Sequence, residues 1–227
     1  MMIDKIDVLD KGYVRLIGQM GGDLDVVNAA RVSFQKESKL LCERDIHIIK
    51  FLAEGEHTSP FRHVFFSFEI AAPLMVARQW FKYVVGSDHT TDAWNESSRR
   101  YVTSEPTFYV PSSWRKAPDN KKQGSGAPLD KLYQLTLTNE YIRHYEESME
   151  KYQNALDLGV CPEQARLFLP AYALYVYWRW SASLQSVAHF LNQRLADDAQ
   201  VEIQEYAKAI KALVFDKAPI SFGAMVK

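Results

Sequence analysis

His63-Val64-Phe65-Phe66-Ser67-Phe68-Glu69-Ile70 runs directly into Ala71-Ala72-Pro73-Leu74-Met75-Val76-Ala77-Arg78-Gln79-Trp80-Phe81-Lys82, and the apolar period changes between the two. Val64, Phe66, Phe68 and Ile70 occupy every second position, the repeat of a strand with one buried face. From Pro73 onward Leu74, Ala77 and Phe81 recur at helical spacing, and proline is tolerated in the first turn of a helix. The stretch predicts a strand feeding a helix on which Arg78 and Lys82 share a face, with Gln79 beside them. Residues 86–92, where Gly, Ser, Asp and Thr cluster, predict a loop. A strand that delivers a helix and then a polar loop is how α/β folds build a ligand site at strand ends.

Beyond the loop stands Asn95-Glu96-Ser97-Ser98-Arg99-Arg100-Tyr101. Guanidinium forks grip phosphate oxygens in two places, lysine adds a point charge, and glutamine or serine can address ring carbonyls and N–H groups. The set suits a ligand with a phosphate and a polar ring. On charge pattern alone the favoured reading is a solvated loop in which Glu96 pairs with Arg99 or Arg100.

Working outward, the 227 residues fit a single domain, and a chain of this size buries enough surface to need no staple. The net charge of -1, with acidic and basic residues interspersed, argues against nucleic acid as a partner. No stretch approaches the roughly 20 apolar residues of a membrane span. Cys42 and Cys161 lie in no pairing or metal motif and no apolar signal core opens the chain, which points to the cytoplasm. Asp88, His89 and Asp92 are one imidazole and two loop carboxylates, far from a recognisable ligand set, so no metal is expected.

The remaining elements follow from pattern. Residues 13–18 predict a short strand, 26–34 a short helix, and 43–54 an amphipathic helix stopped by Gly55. Residues 57–63 form an X-Pro turn. Residues 108–111 predict an extended piece and 116–128 a polar loop. Residues 129–158 predict a long helix closed by Gly159, with a tyrosine stripe facing core or subunit contact. A short proline-bounded helix, an aromatic strand over 172–180, a block over 183–200 and a final amphipathic helix over 202–215 complete the chain. The expected class is α/β in the α+β sense, a central mixed sheet flanked by long helices.

Five of these segments resemble one family. The run A-R-Q-W-F-K followed by N-E-x-S-x-R-Y is similar to the signature of the flavin-dependent thymidylate synthases. So are A-R-V-S-F at 30–34, H-x-S-P-F-x-H at 57–63, P-x-x-A-R-x-x-L-P at 162–170, and F-L-N-x-R at 190–194 with Ala199-Gln200 after it. The resemblance implies a methyltransferase that converts dUMP to dTMP. Methylenetetrahydrofolate would be the carbon donor and NADPH-reduced FAD the hydride source, in a homotetramer with sites built from several subunits. It implies that Gln79, Glu96, Ser98, Arg100, Arg166 and Arg194 hold dUMP, with Ser98 and Arg194 at the reacting ring. His57, Ser59, Arg78, Lys82, Gln185 and His189 would hold FAD. Neither Cys42 nor Cys161 sits like a catalytic thiolate, which suits chemistry supplied by a cofactor.

The chain departs from the family pattern in places. Lys82-Tyr83-Val84 stands where many members have Arg-His-Arg, and residues 85–93 lengthen the spacer. His189 occupies a position where the family often has Asn, and Asp198 lies near its usual His.

Plainer readings exist for single residues. His57 and His63 could satisfy backbone groups at the turn, and Arg166 could be a surface residue lying along apolar neighbours. A nucleotide- or flavin-binding protein of the same fold without turnover is the alternative function. A single-stranded nucleic-acid binder would use Trp178, Arg179 and Trp180, but core packing suits the aromatic residues better.

Overall fold

The computed structural model of the chain describes residues 4–87, 92–102, 104–119 and 124–227, with backbone only for 83–87. The chain opens on a hairpin, β1 (Lys5–Val8) and β2 (Gly12–Met20), followed by α1 (Asp23–Arg31) and α2 (Glu43–Glu54). Then come β3 (Phe65–Pro73), α3 (Leu74–Ser87) and β4 (Ala93–Glu96). After α4 (Lys131–Asp157) and the one-turn α5 (Pro162–Ala165), β5 (Tyr175–Ser183) passes into α6 (Leu184–Arg194). The chain ends with α7 (Val201–Val214) and α8 (Pro219–Met225).

The α+β class holds, with one change inside it. The five strands lie in the order β1-β2-β3-β5-β4 and every pairing is antiparallel, so the sheet is not mixed. The reason is the route of the chain. It leaves β3 at Pro73, travels through β4 and α4, and re-enters the sheet beside the end it left, so that Tyr175 pairs with Pro73. Pro73 itself closes the strand rather than opening the helix.

β3 and β5 form the spine. Each is nine residues long and each turns without a linker into a helix. Their register runs from Phe65↔Ser183 to Pro73↔Tyr175 and is centred on Glu69↔Arg179. Two reciprocal backbone bonds extend it by one residue at each end. Leu74 N donates to Leu174 O at 2.9 Å, and Leu184 N donates to Val64 O at 2.8 Å. Each helix therefore starts from a position fixed by the other strand.

One face of this spine is dry. Phe66, Phe68, Ile70, Trp178, Trp180 and Ala182 are buried there. Trp80 of α3 meets Trp178 and Trp180 edge-on, both at 5.4 Å between ring centroids, and stacks on Phe190 of α6 at 4.4 Å. These are the offset and edge-to-face arrangements that aromatic quadrupoles favour. The burial of Trp178 and Trp180 removes them as stacking platforms for bases and matches the expected core packing. Gly12 is required by close approach, because a Cβ there would come within 1.9 Å of Tyr206 Oη and 2.6 Å of Ala71 O.

The opposite face is polar. Glu69 accepts hydrogen bonds from Tyr13 Oη at 2.9 Å and Arg15 Nη2 at 2.8 Å, and Ser67 and Ser181 bond across the strands. A smaller apolar cluster, including Phe108, Tyr152, Ala165 and Leu174, seats α4 and α5. No helix of the described residues is long and apolar enough to cross a membrane.

Candidate active site

α3 and α6 pack against each other over the dry face, and this places Gln79 opposite Arg194. Arg194 Nη1 lies 3.5 Å from Gln79 Oε1. Gln79 Nε2 donates to Gln200 Oε1 at 2.5 Å and to Met75 O at 3.4 Å. Gln200 immediately precedes α7, and its Nε2 donates to Glu202 Oε2 at 2.8 Å. The other Glu202 oxygen accepts from Arg115 Nη2 at 2.7 Å and from Tyr109 Oη at 3.3 Å. Burial alone would raise the Glu202 pKa, but the bonds from Arg115 and Gln200 outweigh it and hold the carboxyl below its usual range.

Gln79, Gln193, Arg194, Asp198 and Gln200 line a cavity of about 300 Å³. It shares Gly124 and Gln200 with a second cavity of about 470 Å³, walled by Tyr109, Trp114, Arg115, Tyr141 and Glu202 among others. Arg115, Gln200 and Glu202 join this candidate site, and sequence reasoning assigned none of them a role. An acid in the first turn of an amphipathic helix reads as a partner for the helix dipole. The only signal was that Gln200 is itself half of the matching Ala199-Gln200 pair.

The residues expected to hold a flavin fall in two places. The turn carrying His57 and Ser59 packs on α6, where Arg62 Nε donates to Gln185 Oε1 at 2.6 Å. His57 also lies 6.1 Å from the Phe51 ring. His189, one turn beyond Gln185, has its pKa lowered by desolvation, which favours the neutral imidazole. Arg78 and Lys82 stand on the exposed surface of α3. This donor set fits a flavin nucleotide, with two cations for phosphate and amide and imidazole groups for the ring. Tyr83 and Val84, which replace the family's usual pair, lie outside the described side chains, and Asp88 and His89 outside the described residues.

The remaining candidates sit at the sheet edge. β4 pairs with β5, and Ser97 N continues the ladder by donating to Tyr177 O at 2.8 Å. Ser98 Oγ accepts from Arg100 N and Arg100 Nε, both at 3.3 Å, and the Arg100 guanidinium lies 5.1 Å from the Tyr101 ring centroid. Desolvation raises the Glu96 pKa, against the opposing charge of Arg78. Arg166 is exposed at the end of α5, its Nε donating to Glu163 O at 3.2 Å. Gln79 and Arg194 are thus brought together within one chain. Among the described residues Gln79 bonds Met75, Arg194 and Gln200, and none of Glu96, Ser98, Arg100 or Arg166.

Comparison with known proteins shows the family. A family described as thymidylate synthase complementing protein matches residues 15–220. A flavin-dependent thymidylate synthase of Thermus thermophilus is 42% identical over 220 residues, covering 96% of this chain and 77% of that protein. One from Thermosipho africanus is 37% identical over 220 residues, covering 97% and 93%. Among solved structures, the UMP/dUMP methylase PolB from Streptomyces cacaoi bound with 5-Br UMP is similar with a TM-score of 0.81 and 26% identity, covering 96% of this chain and 95% of that one. With a match across most of its length and identities above 30% along nearly all of it, the chain belongs to the flavin-dependent thymidylate synthase family.

Proposed function

We propose that the protein makes dTMP from dUMP, with methylenetetrahydrofolate as carbon donor and NADPH-reduced FAD as hydride source, as a single-domain enzyme of the cytoplasm. The observation that carries this reading is the Arg194–Gln79–Gln200–Glu202 constellation at a cavity of about 300 Å³. It offers a guanidinium and a glutamine carbonyl to a polar ring, which is what a pyrimidine requires. Arg194 stabilises negative charge as it builds on the uracil ring, and Ser98 orients that ring. Glu96, Arg100 and Arg166 complete the nucleotide site, the arginines taking its phosphate.

Arg78 and Lys82 would take the flavin phosphates, with His57, Ser59, Gln185 and His189 around its polar edges. When bound, the flavin supplies the hydride that no side chain of the protein can supply. The exposed, unpaired Cys42 and Cys161 are consistent with a reducing compartment. Leu132, Tyr133 and Leu135 on α4 and Leu167 and Phe168 after α5 are exposed apolar residues, which supports burial in a homotetramer. Sites completed by neighbouring subunits would bring Arg166 and the β4 flank to Gln79 and Arg194.

The test is tritium release from C5-labelled dUMP by protein supplied with FAD, NADPH and methylenetetrahydrofolate. Release coupled to dTMP formation supports the enzyme. Binding of dUMP and FAD without release would make it a binding protein of the same fold, and would put Lys82-Tyr83-Val84 at fault. Mass measurement in solution tests the tetramer.

A further inference from the structure

We infer that Glu202 is a positioning residue which, through Gln200, fixes the direction of the Gln79 amide and so selects a pyrimidine bearing an N3–H over one with a bare N3 acceptor. The inference rests on the reading that Gln79 faces the base.

The direction of the relay follows from chemistry at its two ends. A carboxylate only accepts hydrogen bonds and a guanidinium only donates them. Glu202 Oε2 therefore requires the NH2 of Gln200, at 2.8 Å, which leaves Gln200 Oε1 toward Gln79. That oxygen requires the NH2 of Gln79, at 2.5 Å, which leaves Gln79 Oε1 toward the Arg194 donor. Reversing either amide would oppose two acceptors at one junction and two donors at the next. The Glu202 end stays ionised because Arg115 and Tyr109 both donate to its other oxygen, and its pKa is lowered accordingly.

The consequence for a ligand is specific. Both hydrogens of Gln79 Nε2 are engaged inside the protein, by Gln200 Oε1 and Met75 O. Only the second lone pair of Gln79 Oε1 remains for the base. That lone pair accepts from the N3–H of a uracil-type ring, and it faces another lone pair in a cytosine-type ring. A site built to hydrogen-bond one such group rejects an analogue lacking it far more strongly than apolar contacts would.

Equilibrium binding of dUMP and dCMP to the flavin-loaded protein tests this. The wild-type chain should favour dUMP by about 100-fold or more. In Glu202→Gln the new amide can donate as well as accept, so both relay directions become available and the preference should fall about tenfold. Gln200→Leu cuts the relay while leaving the Glu202–Arg115 pair, and should lose a similar share even where Glu202→Gln does not fold. Asp45→Asn, whose partners are Arg31, Ser38 and Cys42 and which weakens the fold outside the relay, should leave the ratio unchanged. Unchanged ratios in both relay variants would overturn the inference, as would an equal loss in Asp45→Asn. A wild-type chain that binds neither nucleotide would overturn the nucleotide reading and the relay with it.

Discussion

Arg194 Nη1 lies 3.5 Å from Gln79 Oε1 although 115 residues separate them, because α6 and α3 each start at a fixed point on the β3–β5 spine. If Arg194 stabilises charge on the ring, Arg194→Ala should lower kcat/KM by about 100- to 1000-fold while the flavin absorption band stays. Steady-state dTMP formation and a visible spectrum on the same preparation check both halves. Loss of flavin together with activity would show that the division between nucleotide and flavin residues is wrong.

Lys82 and Arg78 are exposed and one turn apart on α3. A charge-assisted bond to a flavin phosphate is worth about 1.5–3 kcal/mol, so each alanine substitution should weaken FAD binding by about 10- to 100-fold. Lys82→Arg should restore most of it. Because both sites face solvent, the loss should be larger in low salt than in high salt. FAD titrations at two ionic strengths give the answer, and a salt-independent affinity would count against phosphate contact.

Gly12→Ala tests the packing of α7 on the hairpin. Its Cβ would fall 1.9 Å from Tyr206 Oη and 2.6 Å from the carbonyl of Ala71, the same carbonyl that accepts the Tyr206 hydroxyl at 2.8 Å. The tyrosine can move only by giving up that bond, and the carbonyl belongs to β3. The expected cost is about 3 kcal/mol, or roughly 10 °C in Tm for a chain of this size. A thermal melt within a degree of wild type would show that the strands separate more easily than the contact implies.

Asp45 is fully buried between α1 and α2, paired with Arg31. Burial alone would raise its pKa, but hydrogen bonds from Arg31, Cys42 and Ser38 hold it at about 2, against an ordinary value of 3.8. A depressed carboxylate stabilises the fold above its unfolded value and loses that contribution as pH falls toward its folded one. Asp45→Asn should therefore cost about 3 kcal/mol near neutral pH, where it leaves the Arg31 charge unpaired. The gap between variant and wild type should close as pH falls from about 4 toward about 2. Urea titrations across that range measure it, and a gap that stays constant would remove Asp45 from the acid response.

The strand and helix of β3 and α3 were legible because nine and more residues repeat at one period, which a single residue cannot disguise. β1 and β4, four residues each, are too short for alternation to rise above composition, and both exist because a longer neighbour supplies their partners. The direction of β5 relative to β3 was not legible, since no local pattern encodes which end of the sheet a returning chain enters. The chemistry followed the same division. Gln79 and Arg194, which the structure brings together, were marked by the resemblance of the segments that carry them, whereas Glu202 looks like any acid near a helix start and only Arg115 and Gln200 on its two oxygens set it apart.

The reciprocal bonds between Leu74 and Leu174, and between Leu184 and Val64, also bear on how the site comes apart. A one-residue slip of β5 against β3 would unseat both helix starts at once and turn Trp178 and Trp180 outward. Gln79 and Arg194 therefore cannot be lost one at a time by fraying of the spine. Heating or denaturant should abolish nucleotide binding in the same step that releases the tryptophans, leaving no population with half a cleft.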